Sequence, residues 1–291
     1  MEQGRVIVSF GAESVVATDS HGLLRCTTRR RTGRTVSGDT VDWSGTPPHQ
    51  CVIDAIHPRR NTLVRTDYRG REKPLAANLD QLLIVCAPEP EPDPRLVDRY
   101  LVLATHLGLQ PLLAMNKADL ARPELPATLR EASSRNACPV FHVSAASGDG
   151  LDDLTAALAG CTTLLVGQSG VGKSSLINAL VPDRQARTQA ISEASGQGRH
   201  TTTETTMYPL PGGGDLVDSP GVRILRLGHL ARDTIQTGFP EIAQQAPHCE
   251  FRDCEHGEEP GCAVQTAVSR GDIHPSRLTS FHELLRERTY S

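Results

Sequence analysis

The fold is decided at residues 164–175, which read Leu164-Leu165-Val166-Gly167-Gln168-Ser169-Gly170-Val171-Gly172-Lys173-Ser174-Ser175. An apolar run, a glycine-rich turn and the spacing G-x-x-x-x-G-K-S predict a buried strand, a phosphate-binding loop and a helix that begins at Lys173. Backbone N–H groups in such a loop converge on a polyphosphate, and the helix N-terminus adds partial positive charge. We therefore expect residues 167–175 to bind a nucleotide, with Lys173 catalytic at the phosphates and the Ser174 hydroxyl ligating Mg²⁺.

Two further segments indicate which base the nucleotide carries. Asn116-Lys117-Ala118-Asp119 follows an apolar run, and its terminal carboxylate can accept hydrogen bonds from N1–H and the exocyclic amine of guanine. Adenine lacks these donors, and leaving a buried acceptor unpaired can reject the wrong base by roughly 10⁴-fold. Asn116 is expected to brace the base and Lys117 to cover its face, while Ser144-Ala145 points a backbone N–H at guanine O6. A capped helix start is the alternative for N-K-x-D when it is considered alone.

A third segment, Asp218-Ser219-Pro220-Gly221, has the pattern D-x-x-G after a short apolar run. We expect Asp218 to hold Mg²⁺ through water and the Gly221 N–H to meet the γ-phosphate. Three threonines lie between the phosphate loop and Asp218, and Thr203 is the one expected to complete the Mg²⁺ shell.

Position 222 is occupied by valine, where many GTPases have a glutamine that orients the attacking water. Slow hydrolysis by the isolated protein is therefore expected. His200 is the candidate for a catalytic replacement, and an exposed loop histidine without such a role is the alternative.

These motifs occur in an unusual order. A usual GTPase has the phosphate loop, the threonine segment, D-x-x-G, N-K-x-D and then S-A, whereas here N-K-x-D and S-A come first. Chain termini of a domain are often close together, so a circular permutation can preserve its packed sheet. Two other classes stay open: a P-loop kinase or ATPase, and a nucleotide-gated RNA-binding module in which hydrolysis is incidental.

Bulk composition agrees with an ordinary soluble multidomain chain. The 291 residues predict about two domains, and 22% are charged and 38% hydrophobic. No apolar run approaches the ~20 residues that span a bilayer, and no secretory signal is recognised at the N-terminus. We therefore expect a cytoplasmic protein in a reducing compartment, without a membrane partner.

Residues 1–72 are predicted to form a small β-barrel, with an OB-type barrel favoured because short apolar or alternating runs are separated by turn residues. Residues 1–73 contain 12 Lys and Arg against 8 Asp and Glu, although the whole chain has a net charge of −4. Arginines cluster at 29–34 and 59–71, which indicates an RNA-binding surface; a solvated basic loop is the alternative. Only 3% of residues are aromatic, so phosphate contacts are favoured over base stacking.

Residues 73–226 alternate between strand and helix patterns and predict a mainly parallel sheet covered on both faces, the central α/β domain. Predicted helices include 95–106, 123–136, 150–158 and 173–181, and segments 205–210 and 215–217 are expected to form a hairpin. Residues 227–291 are predicted to form a C-terminal module that is helical at about 227–245 and ends in an amphipathic helix.

The C-terminal module contains a metal-binding pattern. Cys249, Cys254, His256 and Cys262 lie within fourteen residues and supply three thiols and one imidazole, a closed tetrahedral set for structural zinc. Loop cysteines or a disulfide are the alternative. The remaining cysteines are scattered among apolar neighbours and are expected to be core residues or idle thiols.

Together these features resemble the ribosome small subunit-dependent GTPase A family (RsgA/YjeQ), over nearly the whole chain. The resemblance rests on the permuted motif order, the Gly198-Arg199-His200-Thr201-Thr202-Thr203 segment and the Cys₃His set. It implies an N-terminal OB domain, a circularly permuted G domain and a C-terminal zinc module. It further implies a monomeric cytoplasmic factor that binds the small ribosomal subunit and its 16S-type rRNA, assists late maturation and hydrolyses GTP faster on that subunit.

Overall fold

The computed structural model describes residues 2–47, 50–66, 71–120, 124–195, 204–220, 222 and 227–289.

The N-terminal part is a closed barrel of five strands. They are β1 (Glu2–Ser9), β2 (Glu13–Thr18), β3 (Gly22–Thr28), β4 (Thr40–Thr46) and β5 (Gln50–Ile56). Their order is β1-β2-β3-β5-β4, and β4 pairs back onto β1, which closes the barrel. Alternate side chains fill the interior, including Val6, Val16, Trp43 and Ile53, because side chains of a strand point to opposite faces. The predicted N-terminal barrel is confirmed.

Two of the scattered cysteines differ from the expectation of unpaired thiols. Parallel pairing of β3 with β5 places Thr27 opposite Val52, and this register brings the preceding residues, Cys26 and Cys51, side by side. Their Cα atoms are 4.4 Å apart and the structure joins them as a disulfide. The pairing depends on strand order, which the spacing of the two cysteines does not reveal.

A hairpin and a second sheet follow the barrel. The hairpin consists of β6 (Thr62–Thr66) and β7 (Glu72–Ala77). The central sheet has six strands in the order β10-β9-β8-β11-β13-β12. Their bounds are β8 (Gln81–Cys86), β9 (Gln110–Met115), β10 (Val140–His142), β11 (Thr162–Gly167), β12 (Thr206–Pro209) and β13 (Asp215–Asp218). All are parallel except β12, which is antiparallel to β13, as the predicted hairpin requires.

Five helices belong to the central domain: α1 (Pro94–Leu107), α2 (Ala127–Arg135), α3 (Leu151–Leu158), α4 (Lys173–Leu180) and α5 (Arg184–Ser195). Helix α2 begins later than predicted, directly after Pro126. Helix α5 was missed because it has little apolar periodicity to indicate a buried face. Side chains of β8 and β11 are buried on both faces of the sheet, which confirms the predicted sheet covered on both faces.

The described residues of the C-terminal module form the α-helices α6 (Arg232–Thr237), α7 (Pro240–Gln245), α8 (Ala263–Arg270) and α9 (Pro275–Thr289). The helical stretch predicted at about 227–245 contains two short helices, α6 and α7, which Gly238 and Phe239 separate. Pro240 begins α7, because it cannot donate an intrahelical hydrogen bond and is tolerated only at a helix start. Gly238 packs directly on α1, where an added Cβ would lie 2.5 Å from Val102.

The three parts are joined by specific contacts. Val8 of β1 pairs with Thr206 of β12, so the barrel and the central domain share a continuous sheet of eleven strands. Beside that junction the Arg5 guanidinium donates to Asp215 and to Thr162, each at 2.6 Å. At the other end, buried Phe239 and Phe281 of the C-terminal module lie in the same apolar core as α1. No helix in the described part of the chain is long and apolar enough to cross a membrane.

Candidate nucleotide and metal sites

The sequence motifs meet at one edge of the central sheet. N-K-x-D follows β9, Ser144-Ala145 follows β10, the phosphate loop follows β11 and Asp218 ends β13. These strands are parallel, so their carboxyl ends lie together, which is where open α/β sheets bind ligands. The circular permutation therefore changes the order of the motifs along the chain but not their meeting point.

The phosphate loop requires glycine at two points. Gly167 has φ of +143°, and a Cβ there would lie 2.2 Å from the Val85 carbonyl oxygen. Gly172 has φ of +89°, and a Cβ there would lie 2.4 Å from Asn116 Nδ2. Close approach of these backbones is what lets the loop curl, and Lys173 opens α4 as predicted.

Asn116 links the base loops to the phosphate loop. Its side chain is buried, and its Nδ2 donates to the Val171 carbonyl at 2.9 Å. Its Oδ1 accepts from the Ala145 N–H at 3.1 Å. One amide therefore joins three loops that come from different strands, and this role in the loops agrees with the bracing expected from sequence.

Asp119 and Lys117, the residues predicted to contact the base, are each held by a hydrogen bond to another loop. The buried Ser144 hydroxyl donates to Asp119 Oδ1 at 2.6 Å, and it also accepts from the Ala146 and Ser147 N–H groups. Asp119 is exposed, so its carboxylate remains accessible to a ligand. Lys117 Nζ donates to the Glu89 carbonyl at 2.6 Å, which extends its aliphatic stem across the site.

A cavity of about 340 Å³ lies beside the phosphate loop and is lined by Lys173, Ser174, Asp218 and Val222, among others. Lys173 Nζ donates to the carbonyls of Gly167 and Gln168, at 2.8 and 2.5 Å, which places its charge over the loop. The lining supplies a Ser174 hydroxyl and an Asp218 carboxylate, and Mg²⁺ prefers such oxygen ligands, so the residues fit this ion. Val222 is 3% exposed and offers no polar group.

Sequence reasoning missed two residues that line this cavity, Tyr100 of α1 and Arg184 of α5. Arg184 Nη2 donates to Asp218 Oδ2 at 3.1 Å. Neither residue belongs to a recognisable motif, and their proximity arises only when both helices pack on the sheet. Three predicted site residues, His200, Thr203 and Gly221, lie outside the described residues.

The Cys₃His set forms a cluster whose ligand atoms all lie within 4.8 Å of one another. Cys249 Sγ is 3.9 Å from Cys262 Sγ, and His256 Nδ1 is 3.6 and 3.7 Å from these two sulfurs. A zinc ion about 2.3 Å from sulfur and 2.0 Å from nitrogen would separate tetrahedral ligands by about 3.5 to 3.8 Å. The donor set and its spacing therefore fit zinc, with no fifth protein donor among the described residues.

Local electrostatics also suit a metal. Burial, followed by the nearby Arg232 charge, lowers the pKa of His256 to about 4, so its imidazole is neutral as a ligand must be. Burial opposes ionisation of Cys249, but hydrogen bonds from the backbone amides of Val264 and Ala263 and from the other two thiols together outweigh it and lower the pKa of this thiol. The other imidazole nitrogen, Nε2, lies 3.4 Å from Gln236 Oε1, a contact that orients the ring and that the sequence did not suggest.

Fold and site together define a circularly permuted GTPase with an N-terminal barrel and a C-terminal metal-binding module. The family model described as RsgA GTPase matches residues 56–228. A small ribosomal subunit biogenesis GTPase RsgA from Azotobacter vinelandii is 45% identical, over 98% of this chain and 85% of that protein. One of the same name from Chromohalobacter salexigens is 47% identical, over 97% of this chain and 85% of that protein.

Solved structures give the same result. YjeQ from Thermotoga maritima aligns with a TM-score of 0.74 at 27% identity, over 99% of this chain and 98% of that chain. YloQ, described as a circularly permuted GTPase, aligns with a TM-score of 0.72 at 26% identity, over 99% of this chain and 95% of that chain. The chain belongs to the RsgA GTPase family and is a GTP-hydrolysing enzyme.

Proposed function

We propose that this GTPase is a monomeric cytoplasmic factor that acts on the small ribosomal subunit late in its maturation, contacts 16S-type rRNA and is stimulated by the subunit. The curated relatives are named for small ribosomal subunit biogenesis, and they match nearly the whole chain. The single observation that supports GTP as substrate is the Asn116 amide, which joins the two base loops to the phosphate loop.

Guanine recognition is proposed for Asp119, with Ser144 holding one of its oxygens at 2.6 Å. A carboxylate fixed in this way can accept from both N1–H and the exocyclic amine of guanine, and adenine offers no equivalent pair. The Ala145 N–H already donates to Asn116 Oδ1, so any contact with guanine O6 would be shared or would come from a neighbouring N–H.

Phosphate chemistry is proposed for the cavity beside the phosphate loop. Ser174, Asp218 and Thr203 would hold Mg²⁺, which neutralises charge on the β- and γ-phosphates when bound. Lys173 would exchange its carbonyl partners for phosphate oxygens, and the Gly221 N–H would contact the γ-phosphate.

Slow hydrolysis is expected of the isolated protein because Val222 cannot orient water. His200 is proposed to supply this function on the small subunit. Groups supplied by a partner can be worth on the order of 10⁵-fold in GTPases, or about 7 kcal/mol of barrier.

The barrel offers a smaller RNA surface than its arginine count suggests. Arg59 makes two hydrogen bonds to the fully buried Asp39, at 2.7 and 2.8 Å, so it stabilises the barrel. Arg29 pairs with Asp54 at 3.2 Å. Arg30, Arg31 and Arg34 are exposed and have no ion pair within the described part of the chain. We propose these three as phosphate contacts, whose loss should weaken binding most at low salt.

Zinc is proposed to be structural. Four protein ligands leave no open position for catalysis, and the loop from Cys249 to Cys262 contains no helix or strand of its own. The ion would hold this loop against α8, whose N-terminus is capped by the Cys262 sulfur.

The test is GTP turnover with and without purified small ribosomal subunits, with large subunits as the control. Stimulation of about a hundredfold or more by the small subunit alone is expected. Nucleotide-dependent subunit binding without stimulated turnover would instead favour an RNA-binding module in which hydrolysis is incidental. His200→Ala should retain nucleotide binding and lose most of the stimulation; full stimulation would remove His200 from the mechanism.

The RNA surface has its own test. Arg30→Glu together with Arg31→Glu should weaken subunit binding and reduce its salt dependence. Arg130→Glu is the matched control, because Arg130 lies on α2 with 64% of its side chain exposed. Equal affinities for both variants would exclude the proposed surface.

A further inference from the structure

Arg184 places a second cation, besides Lys173, at the phosphate cavity. It is the first residue of α5, and its Nη2 donates to Asp218 Oδ2 at 3.1 Å. Ser174 and Lys173 line the same cavity of about 340 Å³. The guanidinium therefore lies on the carboxylate that is proposed to hold Mg²⁺.

Other contacts keep the guanidinium at this position. Its Nη1 donates to Asn178 Oδ1 of α4 at 3.0 Å, and its Cζ lies 5.2 Å from the centre of the Tyr208 ring. Only 19% of the Arg184 side chain is exposed. An amide, an aromatic ring and a carboxylate thus hold the planar guanidinium in one position. A loosely solvated arginine would not have three such partners.

We propose that Arg184 is a positioning residue that competes with Mg²⁺ for Asp218 and sets the Mg²⁺ concentration at which the nucleotide binds. The inference rests on the proposed role of Asp218. A guanidinium and a hydrated divalent cation repel each other, so both cannot occupy the same face of one carboxylate. Mg²⁺ therefore binds only when Arg184 withdraws from Asp218. Breaking this ion pair costs free energy, and the cost reduces the apparent affinity for Mg²⁺.

The size of the effect follows from the exposure of the pair. The Arg184 and Asp218 side chains are 19% and 31% exposed, so the pair is partly solvated. Ion pairs of this kind change equilibria by about fivefold. Removing the guanidinium should thus lower the half-saturating Mg²⁺ concentration by about fivefold.

If Arg184 instead contacted the phosphates directly, removing it would have the opposite effect on nucleotide binding. If Arg184 served mainly to neutralise the γ-phosphate, its removal would weaken nucleotide binding at every Mg²⁺ concentration. The dependence on Mg²⁺ therefore distinguishes competition for Asp218 from binding to the nucleotide.

The experiment measures binding of a fluorescent, non-hydrolysable GTP analogue to the full chain while Mg²⁺ is titrated. Arg184→Ala and Arg184→Gln should both reach half-saturation at about fivefold less Mg²⁺, and Arg184→Lys should lie closer to the wild type. Arg130→Ala is the charge-matched control and should not change the curve. An unchanged or increased Mg²⁺ requirement in folded Arg184→Gln would overturn the proposal, and the glutamine variant serves if the alanine variant fails to fold.

Asp218→Asn separates this inference from the function on which it rests. We expect this variant to need more Mg²⁺ than the wild type. If it does not, the proposed magnesium role of Asp218 fails. If Asp218→Asn shifts the curve and the Arg184 variants do not, only the competition fails.

Discussion

Arg277 of α9 donates a hydrogen bond to Asp98 of α1, a residue 179 positions earlier in the chain. Each side chain is 1% exposed, and Arg277 also donates to buried Glu241 of α7 at 2.6 Å. The Arg277 guanidinium thus forms ion pairs with two buried carboxylates at the contact between the central domain and the C-terminal module.

Arg277→Met should lower the free energy of unfolding by about 3 kcal/mol or more, because it leaves two buried carboxylates without a cation. Urea denaturation followed by circular dichroism measures this change. Arg95→Met is the control, since Arg95 is 59% exposed and pairs only at the surface; its effect should stay below about 1 kcal/mol. A small loss for Arg277→Met would show that the network contributes little.

The loss of stability caused by Arg277→Met should depend on pH. Burial already raises the pKa of Asp98 in the wild type, with Arg277 opposing the shift. Without Arg277 the pKa of Asp98 should rise further above its unfolded value. A raised acid pKa destabilises the fold as pH increases through it, so the deficit of Arg277→Met should be larger at pH 8 than at pH 5. An equal deficit at both values would contradict this account.

Asp119→Asn should change the preferred base from guanine to xanthine. An amide can accept from N1–H and donate to the xanthine 2-oxo group, whereas it would oppose the guanine amine with its own donor. Competition by GTP and XTP against a fluorescent guanine nucleotide measures the change, which should be at least tenfold in favour of XTP. Asp152→Asn, an exposed change on α3, should retain GTP preference; retention by Asp119→Asn would exclude the proposed base contact.

Gly172→Ala should abolish nucleotide binding while leaving the chain folded. The added Cβ would lie 2.4 Å from Asn116 Nδ2 and would force apart the base loop and the phosphate loop. We expect affinity to fall by a factor of about 100 or more. Gly271→Ala is a matched control, because φ is +82° and no atom lies within 4 Å of the added Cβ. Backbone strain alone should cost that variant about 1 kcal/mol of stability and no affinity.

Purified protein should contain one zinc ion, and Cys254→Ser should lose it. The cluster residues pack in the same core as Val264 and Phe281, so metal loss should lower the melting temperature as well as the metal content. Cys161→Ser should retain both, because Cys161 lies apart from the cluster. Normal melting of a zinc-free Cys254→Ser variant would show that the ion is dispensable for the fold.

Much of the site was predictable because each motif directly follows an apolar run that becomes a parallel strand. The motif after β9 and the motif after β11 could thus be placed at one edge before any distance was known. The Arg184–Asp218 and Arg277–Asp98 pairs could not, since each joins residues far apart in the chain that meet only when a helix packs on another element. The break between α6 and α7 has a sequence signal, because Pro240 lacks the N–H that the interior of a helix needs.

Pairing between Val8 and Thr206 also determines what a shortened protein would do. Without the barrel, β12 would become an open sheet edge with unpaired backbone groups, which invites pairing between molecules. The strand has only four residues and ends at Pro209, so few such groups would be available. The barrel therefore acts as an edge cover, and in a protein lacking residues 1–72 the short strand and Pro209 would limit pairing between molecules.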